Sequence, residues 1–113
     1  MEYLTSQIKK EISAHAAEEE PNECCGIIFC NANNSYRSMK CENVSKEKSI
    51  NFRIKPADYL KATNNGDIKA YYHSHIIDKV GKFSQADKKI SRSHGIPLIL
   101  YCISNGKFFE FNE

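Results

Sequence analysis

His73 and His75 stand one residue apart, and Ser84-Gln85-Ala86-Asp87 follows them along the chain. On a β-strand, residues two apart project from the same face, so two neutral imidazoles in this spacing can share one metal ion. Asp87 falls in the first turn of the next expected helix, close to where the strand ends. A His, His, Asp set leaves the fourth tetrahedral position open, the arrangement of a catalytic rather than a structural zinc. Bound zinc brings the pKa of its water down to ~7, and hydrolysis then still needs a base for the water's proton. The same residues also have plain structural readings. A His-x-His pair can simply pack, Ser84 can serve wholly as a helix N-cap with Asp87 favoured by the helix dipole, and Glu23 can be a solvated acid ahead of a strand.

For these side chains to meet, their elements must pack together. Leu4, Ile8, Ile12 and Ala16 recur at helical spacing and predict an amphipathic helix ending before Pro21, with His15 near its apolar stripe as a packing residue. Cys24 to Cys30 is a continuous apolar run suited to a buried strand, with Cys24 and Cys25 on opposite faces. Asn31 to Ser35 reads as a turn, Tyr36 to Cys41 as a returning strand, and Asn43 to Ser49 as a polar loop. Ile50, Phe52 and Ile54 alternate with polar neighbours and predict a further half-buried strand. Pro56 opens a short helix to about Thr63.

Ile68 to His75 reads as a central strand, with Tyr71 and Tyr72 on opposite faces, one in the core and one flanking the site. A glycine-containing loop leads to a helix from Ser84 to His94, stopped by Gly95. Pro97 to Ile103 is the most apolar run and is expected in the middle of the sheet, with Asn105-Gly106 making a tight hairpin to Lys107–Phe111. The order α-β-β-β-α-β-α-β-β predicts an α/β/α sandwich in which helices flank a mixed sheet.

The 113 residues suit one domain spanning 1–113 with a core of its own. A net charge of +2 gives no footing for nucleic acid or a membrane surface as partner. No apolar run approaches the ~20 residues of a membrane span, and the first twenty residues lack a signal peptide's apolar region, so a cytoplasmic protein is expected. Cys24, Cys25, Cys30, Cys41 and Cys102 are odd in number and include no Cys-x-x-Cys, so they read as reduced, small hydrophobes, with a cysteine-based zinc site the lesser alternative.

Taken together, Glu23, His73-Ser74-His75 and Ser84-Gln85-Ala86-Asp87 resemble the motif of the JAMM (MPN-plus) zinc metallopeptidases: a distant Glu, then His-x-His, then Ser-x-x-Asp. Pro21-Asn22-Glu23-Cys24-Cys25-Gly26 is similar to the family's Glu-bearing segment. His94 to Tyr101, with Asn105 to Glu110, resembles its compact prokaryotic and phage branch, which includes tail-assembly proteins of lambdoid phages. The resemblance covers nearly the whole chain. It implies a cytidine-deaminase-like fold with a curved sheet, a zinc ion (Zn2+) held by His73, His75 and Asp87, Glu23 as general base, and Ser84 stabilising the oxyanion. The implied reaction is hydrolysis of a peptide or isopeptide bond. The substrate would be a protein or peptide, either a phage assembly protein or a ubiquitin-like sulfur carrier, paired as an extended strand along a sheet edge near His73 to His75. A homodimer is left open, and the alternative is a non-catalytic MPN-like scaffold or tail-assembly component. The chain departs from the pattern in having Ile76 where Pro is usual, and a segment from Ile76 to Phe83 one residue longer than common.

Overall fold

The computed structural model describes residues 2–76 and 82–112. Eight elements follow in order: α1 (Ser6–Glu19), β1 (Cys25–Cys30), β2 (Tyr36–Cys41), α2 (Pro56–Asn65), β3 (Asp67–His75), α3 (Gln85–His94), β4 (Leu98–Cys102) and β5 (Lys107–Phe111). The strands form one mixed sheet in the order β2-β1-β3-β4-β5, in which only the β3–β4 pair is parallel. Parallel neighbours need a crossover connection, and α3 supplies it. α1 packs on one face of the sheet, while α2 and α3 pack on the other. The α/β/α sandwich expected from the sequence is the fold observed.

Each layer follows from local chemistry. Thr5 caps α1 by accepting from the Ile8 amide, and Ile8, Ile12 and Ala16 turn their apolar side chains onto the sheet. β1 is paired on both edges and covered on both faces, which explains its unbroken apolar run. Strand alternation sends Cys24, Ile28, Ala70 and Tyr72 into the core under α1, and Cys25, Ile27, Tyr71 and Leu98 into the core under α2 and α3. Among the described residues, no helix is long and apolar enough to cross a membrane.

Three expectations are corrected. Ile50, Phe52 and Ile54 do not form a strand: Phe52 is buried, Ile50 is 63% exposed, and only an isolated bridge joins Ile54 to Asn43. The backbone of this stretch is satisfied by mixed partners: the Asn43 side chain takes the Arg53 amide and gives to the Asn51 carbonyl, the Glu47 carbonyl takes the Ile50 and Asn51 amides, and the Arg53 carbonyl accepts from Val44. The β4–β5 connection is longer than a two-residue turn, with residues 103–106 between Cys102 and Lys107 and Gly106 at φ 71°. The middle strand is β3, not the more apolar β4. Both tyrosines of β3 are buried, each in its own core.

α1 is joined to the sheet by a buried polar contact, His15 Nδ1 to the Tyr72 hydroxyl at 2.7 Å. Tyr72 lies across Gly26 on the neighbouring strand, where an added Cβ would sit 2.1 Å from the phenol ring. Overpacking of this kind costs ~1–3 kcal/mol, so Gly26→Ala is expected to lower the urea midpoint while leaving the slope unchanged. Burial, only partly opposed by Glu19 and Glu18 and reinforced by Lys40, holds the His15 imidazole below its ordinary 6.5. The unfolded chain therefore takes up this proton more readily, and the associated stability is complete above pH 6.5 and drains away below it. Urea unfolding from about pH 5 to 8 should show that decline, and His15→Gln should flatten it relative to the parent.

Candidate metal centre

His73 and His75 lie on the α2/α3 face of β3, with His73 opposite Cys25 of β1 and Leu100 of β4. The His73 ring is fully buried. Its Nδ1 is 3.0 Å from the Ile99 carbonyl, which can only accept, so Nδ1 carries a hydrogen and Nε2 is the ring atom turned toward Asp87. Metal-binding histidines are commonly oriented by such an outer hydrogen bond. Phe52 stacks on the same ring at 4.6 Å and closes it off from water. The His75 ring stands edge-on to it, 4.9 Å between centroids, and is the more accessible of the two.

Asp87 arrives through a capping box. The Ser84 hydroxyl accepts from the Asp87 amide at 3.0 Å, and Asp87 Oδ2 accepts from the Ser84 amide at 2.9 Å. That same Oδ2 lies 3.2 Å from His73 Nε2 and 3.5 Å from His75 Nε2. Burial would raise the Asp87 carboxyl, but the His73 and His75 side chains and the Ser84 amide outweigh it and hold it well below the usual carboxylate range.

Glu23 enters from the residue pair just before β1. Its amide donates to the Lys48 carbonyl and its carbonyl accepts from the Asn43 side chain. Next door, the Cys24 amide donates to Ser74 Oγ and the Ser74 amide to the Cys24 carbonyl, which ties this segment to β3. Glu23 is 4% exposed, with Oε2 3.8 Å from His75 Nε2. Burial, aided by the charge of Asp87 and opposed by His75, pushes its carboxyl up to about 8.

Glu23, His73 and His75 offer ligand atoms that all lie within 4.8 Å of one another, so the three can hold a metal ion. Among the described residues, buried Glu23 Oε1 and His73 Nε2 find no hydrogen-bond partner, a costly state that a cation would relieve. The donor set of imidazole nitrogen and carboxylate oxygen suits zinc. Zinc bonds of about 2.0–2.1 Å at tetrahedral angles place ligand atoms about 3.3 Å apart, close to the two distances from Asp87 Oδ2.

The structure thus brings Glu23, His73, His75 and Asp87 together, while the Ser84 hydroxyl is engaged at the helix cap. The expectation of a substrate strand pairing beside His73 to His75 is not met, because β3 already has β1 and β4 on its two edges. The expected extra residue between His75 and Ser84 falls in a stretch of which 77–81 lie outside the described residues. Three contributors went unnoticed in the sequence: Asn43, Ser74 and Phe52. Alternation could have shown Ser74 pointing away from the two histidines, but nothing marked Asn43 within its polar loop.

A profile of the prokaryotic homologs of the JAB domain matches residues 5–112. Over 77 residues, 68% of this chain, the sequence is 39% identical to the tail tip assembly protein K of Escherichia phage N15. That stretch spans 31% of the phage protein. The fold is similar to the solution structure of protein DSY2949 from Desulfitobacterium hafniense, with a TM-score of 0.72 and 21% identity, covering 94% of this chain and 78% of that one.

Loss of an N-cap hydroxyl typically costs ~1 kcal/mol. Ser84→Ala should therefore lower unfolding free energy by about that amount in urea titrations, as expected from the observed cap.

Proposed function

This chain belongs to the family of prokaryotic homologs of the JAB domain, and on that premise we propose that it is a zinc-dependent peptidase or isopeptidase. His73, His75 and Asp87 are the metal ligands in this reading and Glu23 the general base. The observation that carries it is the position of Asp87 Oδ2, 3.2 Å and 3.5 Å from two imidazole nitrogens, with His73 Nε2 turned toward it. A carboxylate oxygen and an imidazole nitrogen this close in a dry site need a proton or a metal cation between them.

Zinc bound there would supply Lewis-acid activation of water and of the substrate carbonyl. The chain's own groups do the rest. Glu23, with Oε2 3.8 Å from His75 Nε2, is kept out of the ligand set in this reading, and its ionised carboxylate takes a proton from the attacking water. It then hands that proton to the departing amine nitrogen, leaving a carboxylic acid and an amine as products. A cation beside Glu23 opposes the effect of burial and keeps the carboxylate ionised near neutral pH. Ser84 already accepts one hydrogen bond, so its own hydrogen is left to meet the developing oxyanion. His75, less enclosed than His73, marks the side from which substrate enters.

The likeness to a tail tip assembly protein favours a phage assembly protein as substrate, and also a second reading, a non-catalytic assembly component. Zinc content separates the two. Purified chain supplied with zinc should retain about one equivalent, as a catalytic site with one open position requires. Glu23→Gln should keep that zinc while hydrolysis of a quenched-fluorescence peptide library disappears. Activity undiminished in the variant rejects the base assignment, and a chain that takes up no zinc is the scaffold.

A further inference from the structure

Beside the cluster, on the same face of the sheet, lies a two-lobed depression. One lobe of ≈ 520 Å³ is walled by Phe52, Ile54, Tyr59, Leu60, Tyr71 and Ile90. The other, ≈ 590 Å³, is reached by Lys46, Arg53 and Lys89. The lobes share Phe52, Arg53, Ile90 and His94, so they are parts of one groove. Either volume lies within the ~300–1,000 Å³ typical of ligand pockets.

The groove meets the cluster through two residues. Phe52 stacks on the buried His73 ring while lining both lobes. Tyr71 precedes His73 by one strand repeat and points from the same face. A side chain seated in the first lobe therefore lies about one strand repeat, roughly 6–7 Å, from the metal-facing histidines.

The chemistry of the walls selects an occupant. The Tyr71 hydroxyl and His94 Nδ1 satisfy each other at 2.9 Å, so the floor of the first lobe presents little unmet polarity. Leu60, 62% exposed, leaves an apolar rim open to water. Among the described residues no acidic side chain lines either lobe, whereas Lys46, Arg53 and Lys89 do, and none of these three makes an ion pair there. Apolar walls with unpaired cations on the rim complement a large apolar residue flanked by carboxylates.

We infer that this groove is the substrate-recognition subsite of the chain, taking an extended acidic peptide that buries one large apolar side chain against Phe52, Tyr59 and Leu60. The inference rests on the peptidase reading for the identity of the peptide as substrate. It replaces the sheet edge as the docking element, because β3 has no free edge.

The test uses dye-labelled peptides that carry a central leucine between aspartates, with controls in which alanine replaces the leucine or lysines replace the aspartates. Anisotropy is read on the full chain carrying Glu23→Gln, so that nothing is cleaved. Each control should bind about tenfold more weakly or worse, since the first loses an apolar anchor and the second reverses the rim attraction. Leu60→Asp should weaken the leucine–aspartate peptide, and Arg53→Glu with Lys89→Glu should switch preference to the lysine-flanked one; all three positions are exposed, so folding is spared. Equal binding of all peptides, or preference unmoved by these substitutions, overturns the inference. Selective binding with no cleavage by the zinc-supplied parent would leave the groove standing and remove the peptidase reading. Cleavage indifferent to the apolar residue and its flanks would do the reverse.

Discussion

The constraint on which the rest depends is the burial of a carboxylate against two imidazoles at the end of β3. His73 donates outward to the Ile99 carbonyl, so its Nε2 faces inward, and the inward neighbour is a carboxylate oxygen 3.2 Å away. In a space closed to water such a pair needs a proton or a metal cation between its two atoms. The surroundings show how this arrangement is held: β4 pins the ring from outside, Phe52 covers its face, and a helix cap locks the carboxylate. Each support comes from a different element, so no single side chain can relax the arrangement by turning away.

Several residues serve stability and the site at once. The capping box satisfies the start of α3 and aims Asp87 in the same act, through one oxygen that accepts an amide and faces both histidines. Asn43 spends its side chain on four backbone groups, among them the Glu23 carbonyl. Ser74, between the two histidines but on the opposite face, ties β3 to the residue after Glu23. The carboxylate that arrives this way is buried, and its proton is held too tightly for a base near neutrality until positive charge is nearby. Glu23 is therefore coupled to His75 and Asp87 through electrostatics as well as geometry.

Much of the scaffold was legible because its patterns are local. The helical stripe of Leu4, Ile8, Ile12 and Ala16, the buried run after Cys24, and the Ser84 and Gly95 ends of α3 each reflect interactions within a few residues. The misread stretch is instructive. Ile50 to Ile54 alternates as a strand would, yet its hydrogen bonds go partly to a turn at Glu47 and partly to the Asn43 side chain, and a side chain's choice of backbone partners leaves no periodic trace. The rank of β3 over β4 was equally hidden, since both are buried on two faces and apolarity alone does not distinguish the third place in a sheet from the fourth.

The sequence by itself determined which residues could do chemistry and which faces they would share: His73 with His75 by strand alternation, and Ser84 with Asp87 by helix capping. Its motif also carried the family, which the profile match over residues 5–112 bears out. Only the tertiary structure decided that Glu23, fifty residues from His73, enters the same few ångströms, that Nε2 rather than Nδ1 faces inward, and that the flanking groove rather than a strand edge is open beside them. The reason is physical. Alternation and capping are properties of a single segment, whereas burial, tautomer and free edges depend on what each segment meets across the sheet.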